Sequence, residues 1–333
     1  MNPENLMNVD AVQALIRIAG QREDPPAGAY DRVWPAAEAT WLKSLRRRRT
    51  RRAAGWLAAA AAVVVAGVTA VIWLRPTAQP VTEVARLDRT VGSLEIHAAS
   101  GGAWLPVDVG LSDGLAPGTR LRTGVDGRAG LLLGGEVSVR LAESSEIELA
   151  DERKVRLVRG VVYADTGPGG RGGQVQVITA GGTLQDFGTQ FEVSYDDSGL
   201  RLRVREGQVV MARDAQRLVA HAEQQIAVDG QGRISRDVLS RSDPAWHWVE
   251  SVAPSATTDG QPVTALLQWV SRETGRELRY ADRAIEQEAA ATILHGQLSG
   301  LAPLKTLEVM LATTDLAYKI SDDEAIEVLR RPD

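Results

Sequence analysis

Four histidines, His97, His221, His247 and His295, are the side chains best suited to proton transfer or metal ligation at neutral pH. They fall in four separate segments, and no His-Glu-x-x-His or other paired spacing brings two of them onto one helix face. The chain has no cysteine, which removes thiolate nucleophiles, thiolate metal ligands and disulfides together. Gly167, Gly169 and Gly172 in GPGGRGG satisfy the spacing Gly-x-Gly-x-x-Gly. That motif binds dinucleotide phosphates only when a helix follows and aims its N–H groups at them, whereas the following QVQVIT alternates as a strand does. A surface loop is the better reading. No Gly-x-Ser-x-Gly elbow is present, and the acidic stretches DERK and DD read as solvated turns. The sequence therefore predicts no catalytic residue, no cofactor, no metal and no enzyme.

The elements around these residues carry more information. Residues 1–52 hold 10 Lys/Arg against 6 Asp/Glu, while the rest of the 333-residue chain holds 28 against 37. Between the basic and acidic parts lies AAGWLAAAAAVVVAGVTAVIWL, 53–74, which is 22 residues without a charge. At about 1.5 Å per residue such a segment spans a bilayer core of about 30 Å as a helix. Trp56 and Trp73 sit near its ends, and Arg46 to Arg49, Arg51 and Arg52 precede it. The arginine bias predicts a single-pass inner-membrane protein, N-terminus cytoplasmic and C-terminus periplasmic. The same arginines read as a topology signal in contact with lipid headgroups rather than as a site for direct nucleic-acid binding.

The expected cytoplasmic head, 1–52, contains two helical patterns. Val12, Leu15, Ile16 and Ala19 recur at helical spacing, and a second face gathers Tyr30, Val33, Ala37 and Trp41 beside Trp34. So short a segment makes a poor core by itself, so Leu15, Ile16, Trp34 and Trp41 are the candidate contacts to a partner protein.

From Val81 to Ile234 short alternating runs are punctuated by Gly, Asp and Ser. In GLRLRVREGQVV, Leu200, Leu202 and Val204 share one face and Arg201, Arg203 and Arg205 the other. Many small rungs with few sharp hairpin dipeptides predict an all-β, β-solenoid-like stack.

The succession RTG (122–124), GGEVSVRLAESSEIELAD (134–151), VRLVRGVVYADT (155–166), VQVITAGGTLQDFGTQFEVSYDD (175–197) and RVREGQVVM (203–211) resembles the FecR domain, the periplasmic sensor module of iron-transport-type sigma regulators. The residues that carry the resemblance are Leu141, Ser144, Leu157, Gly160, Thr179, Gly188, Thr189, Phe191, Val193, Glu206 and Gly207. The chain departs from the family pattern at Gly135-Glu136 and at Val161-Val162-Tyr163. Gly160, Gly188, Thr189, Phe191 and Gly207 read as architectural: glycines between strand segments, and an aromatic dropped into the interior after a corner.

Residues 246–331 return to mixed patterning. PVTALLQWVSRETG reads as a helix closed by Gly275, LAPLKTLEVMLATT as a helix from near Pro303, and RELRYAD, ATILHGQLSG, LAYKISD and EAIEVLRR as strands. The expected order is β-α-β-β-α-β. Gly260, Pro262, Leu267, Gly275, Tyr280, Gly296, Pro303, Leu311 and Tyr318 are similar to the secretin and TonB short N-terminal domain, which implies a protein-binding module.

The expected fold is thus a short helical head, one transmembrane helix at 53–74, a β-solenoid-like FecR domain at 81–240 and a small α+β domain at 246–331. The FecR resemblance implies a sigma regulator or anti-sigma factor. It would relay a signal from an outer-membrane receptor signalling domain, or another periplasmic protein, to an extracytoplasmic-function sigma factor. In that family release can follow stepwise proteolysis ending inside the membrane segment. The alternative is a membrane-anchored periplasmic scaffold or ligand-binding protein of the envelope.

Overall fold

Alternating apolar residues put most of the described residues between 83 and 238 into paired strands, and the pairing is mainly antiparallel rather than solenoidal. The computed structural model describes residues 83–107, 114–167, 172–213 and 216–332, together with Gln13, Arg17 and Ile18. The chain divides into two compact units, Met1–Gln79 and Pro80–Asp333. The second contains a 16-stranded system and a separate 3-stranded sheet.

The larger system folds into two leaves that share one long strand, β8 (Lys154–Asp165). The first leaf runs β1 (Ala85–Val91), β5 (Arg128–Leu133), β6 (Val137–Leu141), the second half of β8, β11 (Gln190–Asp196), β12 (Gly199–Glu206), β15 (Gln224–Asp229) and β16 (Ile234–Val238). The second runs β3 (Leu105–Pro106), β2 (Leu94–His97), β4 (Arg120–Thr123), β7 (Glu146–Asp151), the first half of β8, β9 (Gln176–Thr179), β10 (Gly182–Asp186), β13 (Gln208–Arg213) and β14 (Gln216–His221).

At the changeover in β8 stands Gly160, with φ of 91°. A Cβ there would lie 2.5 Å from the Ser145 Cα, so only glycine lets the strand pass from one leaf to the other at this point. Between the leaves lies one apolar core. Leu131, Val139, Phe191, Leu202 and Val204 face it from the first leaf, and Leu121, Ile147, Leu157, Leu184 and Met211 from the second.

The C-terminal part builds its own core. A short helix, α1 (His247–Glu250), precedes it, and its elements are α2 (Val263–Thr274), β17 (Leu278–Tyr280), α3 (Arg283–Ala291), α4 (Pro303–Leu311), β18 (Leu316–Ile320) and β19 (Ile326–Arg330). Helix α2 buries Val263, Leu266, Leu267 and Val270 and ends at Gly275 in the left-handed conformation. These side chains pack with Ile285, Leu307, Met310, Leu316, Ile326 and Val328.

The expected fold class is corrected in three respects. Solenoid rungs would pair in parallel, whereas among the described residues only β8 with β9 and β17 with β19 are parallel. Second, no helix among the described residues is long and apolar enough to cross a membrane. The segment 53–74, which prompted that expectation, and the helical patterns of the head other than Gln13, Arg17 and Ile18 lie outside the described residues. Third, the C-terminal order from α2 onward is α-β-α-α-β-β, not β-α-β-β-α-β. The stretch ATILHGQLSG contributes only an isolated bridge between Ile293 and Pro262. The unforeseen helix α3 precedes it, capped by Asp282, whose side chain accepts from the Ile285 N–H.

Candidate functional site

On an antiparallel sheet with one buried face, the residues that alternate with the core should meet water. On the first leaf they do not. Arg140, Tyr163 and Arg205 have no exposed surface, and Asp165, Gln190 and Glu192 are buried beside them. Two segments cover them: a strap, 239–253, and the C-terminal end of α2.

The strap lies directly on the sheet. Trp246 and Val249 pack on Tyr163, with the Tyr163 and Trp246 rings edge-on at 6.1 Å. Arg140 Nη1 donates to the Val249 carbonyl at 3.2 Å, Arg205 Nε to the Arg241 carbonyl at 2.6 Å, and Trp248 Nε1 to Glu192 at 2.9 Å. Gly130 has no side chain to displace the strap; a Cβ there would lie 2.7 Å from the Val252 carbonyl oxygen.

Helix α2 then brings in its last turn. The terminal carbonyls of a helix lack intrahelical partners and carry partial negative charge. Arg205 Nη1 donates to the Glu273 carbonyl at 2.8 Å and Gln190 Nε2 to the Arg272 carbonyl at 3.3 Å. The side chains of the same two helix residues point into the sheet. Glu273 Oε2 stands 2.8 Å from Arg140 Nη1, and Arg272 forks onto Asp165 and reaches Glu206 Oε2 at 3.0 Å. Gly275 must be small as well as left-handed, because a Cβ there would lie 2.1 Å from the Arg241 carbonyl oxygen.

Electrostatics follow from this packing. Burial alone would raise the Asp165 carboxyl, but the Arg272 guanidinium, its hydrogen bond and that of Gln190 hold it below the ordinary aspartate value. Burial pushes the Tyr163 hydroxyl far up, so it stays neutral. Arg140 Nη2, Arg205 Nη2 and the Tyr163 hydroxyl are buried without a hydrogen-bond partner. Beside the contact opens a cleft of about 600 Å³ lined by Glu206, Arg241, Arg272, Arg276 and Asp323 among others.

The architectural residues expected from the sequence lie at the edge of this face. The Asp186 carboxylate accepts from the Thr166 hydroxyl at 3.0 Å, the Thr189 hydroxyl at 3.1 Å and the Gly188 N–H at 3.0 Å. Gly207, with φ of 83°, backs onto that turn, its absent Cβ only 2.6 Å from both the Gly188 carbonyl oxygen and Thr189 Cγ2. Gln190 then points to the polar face and Phe191 into the core. Gly188, Thr189 and Gly207 are therefore brought together, while Gly160 stands apart at the strand changeover. Leu15, Ile16, Trp34 and Trp41 lie outside the described residues.

Among the described residues no group of three or more His, Cys, Asp or Glu side chains could hold a metal ion. His97 lies against Trp104, the two rings tilted by 52° with centroids 5.4 Å apart. Gly169 of the glycine-rich loop lies outside the described residues, and strand β9 follows the loop rather than a helix.

The arrangement holds two surfaces of the chain together. Residues 119–210 match the family described as FecR protein. The chain carries a FecR domain. The match takes in β4 to β12 and the first half of β13, so the polar face just described, from Arg140 to Arg205, is a face of the FecR domain. It does not extend to 246–331, and the resemblance of that part to the secretin and TonB short N-terminal domain is unconfirmed. Two crystal structures of a proposed anti-sigma factor from Parabacteroides distasonis are similar to this chain at 15% identity, with TM-scores of 0.36 and 0.35. Each covers 64% of this chain and 99% of its own. No curated protein matches the chain.

Sequence reasoning missed Arg140, Tyr163, Asp165, Arg272 and Glu273. For the strand residues Arg140, Tyr163 and Asp165 the only local signal was the alternation itself, which assigns their side chains to the face opposite the core and is silent on what covers that face.

Proposed function

We propose that this chain is a FecR-type regulator of a sigma factor, acting by protein–protein contact. The match of residues 119–210 to the FecR family carries this reading. The burial of the domain's polar face under strap and helix supports a part whose output is contact between surfaces. In this reading the acidic remainder of the chain receives a signal outside the cytoplasm, from a receptor signalling domain or another envelope protein. The basic N-terminal part binds an extracytoplasmic-function sigma factor through Leu15, Ile16, Trp34 and Trp41. The opposed charges of the two parts support their assignment to different compartments. The relay, with or without proteolysis, is part of this proposal.

The test is co-expression of the tagged full-length chain with each extracytoplasmic-function sigma factor of its host, followed by affinity capture and a reporter for each sigma factor. One sigma factor is expected to be retained, its reporter to change with the chain present, and Trp41→Ala to abolish both effects. Capture of none, with the chain intact, defeats the proposal.

A further inference from the structure

The strap stays with the FecR sandwich through its own contacts, so a line can be drawn after Ala253. Every hydrogen bond and ion pair found across that line among the described residues is polar and made by side chains. Arg89 donates to the Gly300 and Leu301 carbonyls, Arg205 to that of Glu273 and Gln190 to that of Arg272. Glu273 pairs with Arg140, and Arg272 with Asp165 and Glu206. No strand pairing and no backbone–backbone hydrogen bond crosses among the described residues. The apolar clusters respect the same line: the sandwich core reaches no further than Val228, the small strap cluster ends at Val249, and the C-terminal core begins at Ala256.

Separating two bodies along such a line leaves both apolar cores closed, which is what makes local opening cheaper than global unfolding. Part of the loss is offset by solvation. Buried guanidiniums and carboxylates give up hydration that the contact returns only in part, and Arg140 Nη2 and Arg205 Nη2, on the two arginines that meet the helix end, have no hydrogen-bond partner while the contact is closed. The chain crosses the line only at Pro254 and Ser255, so a single short link can act as the pivot.

We infer that residues 256–331 form a detachable cap, latched to the FecR sandwich by Arg272 and Glu273 and released as a folded unit to uncover Asp165, Gln190 and the sides of Arg140 and Arg205 that face the helix end, while the strap stays over Tyr163. Adjacent positions on the last turn of α2 supply both latch side chains, so a force or partner that shifts this one helix end breaks both together. The opening belongs to the body alone and is measured without any partner, so it stands or falls separately from the sigma-factor reading.

Because the native chain has no cysteine, one introduced thiol reports one position. Gln190→Cys places it under the cap, where Gln190 is 1% exposed, and Ala164→Cys places it in the sandwich core, at 1%. In the full-length chain the thiol of the Gln190→Cys variant is expected to react with a thiol-specific reagent at least about tenfold faster than that of Ala164→Cys, with a weaker dependence on denaturant. Adding Arg272→Ala is expected to speed the first by a further factor of about ten and leave the second unchanged. Should a variant fail to fold, arginine-directed labelling of the unmodified chain gives the same answer: Arg205 is expected to be modified under native conditions. Equal rates for both thiols, indifference to Arg272→Ala, or labelling of Arg205 only on global unfolding would each overturn the cap.

Discussion

Arg140 on strand β6 and Glu273 on helix α2 form an ion pair at 2.8 Å, 133 positions apart in the chain, with side-chain exposures of 0% and 3%. Removing one member leaves the other buried and uncompensated, whereas replacing both by apolar residues of similar size removes the desolvation cost along with the attraction. Glu273→Ala is expected to destabilise the chain by about 3–5 kcal/mol, and the double variant Arg140→Met with Glu273→Leu to recover most of that loss. Urea unfolding midpoints of the two variants and the parent decide it.

Acid should act on the same contact through Asp165. Its folded value is depressed, because the Arg272 charge and the hydrogen bonds from Arg272 and Gln190 outweigh burial. The stability it contributes is therefore complete above the unfolded value of about 3.9 and is lost as pH falls through the folded one. Glu250 has the opposite sign. Burial raises its value despite the nearby His247 and Arg205, so its contribution is present at low pH and lost as pH rises through the folded value. Comparing variant with parent removes the Glu250 effect. The Tm difference between Asp165→Asn and the parent is expected to shrink as pH falls from about 6 to about 3. A constant difference would exclude an ionised Asp165 in the contact.

Local pattern made some of this legible. The alternation of Leu200, Leu202 and Val204 against Arg201, Arg203 and Arg205 separates core from outer face, and the spacing of Val263, Leu266, Leu267 and Val270 marks the buried side of α2. Antiparallel order was missed although some turns signalled it: β5 and β6 are joined through Gly134, Gly135 and Glu136, a short glycine-bearing connection of the hairpin kind. The burial of Arg140 and Arg205 was invisible for a deeper reason. What covers them comes from 36 to 133 positions away, so no window on the strand records it.

Two glycines with nearly the same backbone separate strain from crowding. Gly207 has φ of 83° and Gly232 has φ of 80°. A Cβ on Gly232 meets nothing within 4 Å, while one on Gly207 meets the Gly188 carbonyl oxygen and Thr189 Cγ2 at 2.6 Å. Alanine at either position costs about 1–2 kcal/mol for the left-handed conformation. At Gly207 the turn must also shift, which adds about 1–3 kcal/mol. Gly207→Ala is therefore expected to lower the denaturation midpoint more than Gly232→Ala, and equal effects would mean that the turn yields freely.

The turn behind Gly207 depends on Asp186, which is fully buried. Its Oδ2 accepts from Thr166, Thr189 and Gly188, and its Oδ1 from the Val175 N–H, so one carboxylate ties β9, β11 and the end of β8 together. Alanine would leave the Val175 and Gly188 N–H groups and the Thr189 hydroxyl without this acceptor, each buried group costing about 1–3 kcal/mol, while the Thr166 hydroxyl keeps the Thr189 carbonyl. Asparagine keeps one acceptor oxygen, and hydroxyls can rotate to accept from its amide. Asp186→Ala is expected to be the more damaging of the two substitutions, with Asp186→Asn retaining part of the stability. Because the turn also sets the direction of Gln190, Asp186→Ala should in addition accelerate labelling of Arg205 under the cap. If asparagine and alanine proved equally damaging, the carboxylate charge, rather than the number of acceptors, would be what the turn requires.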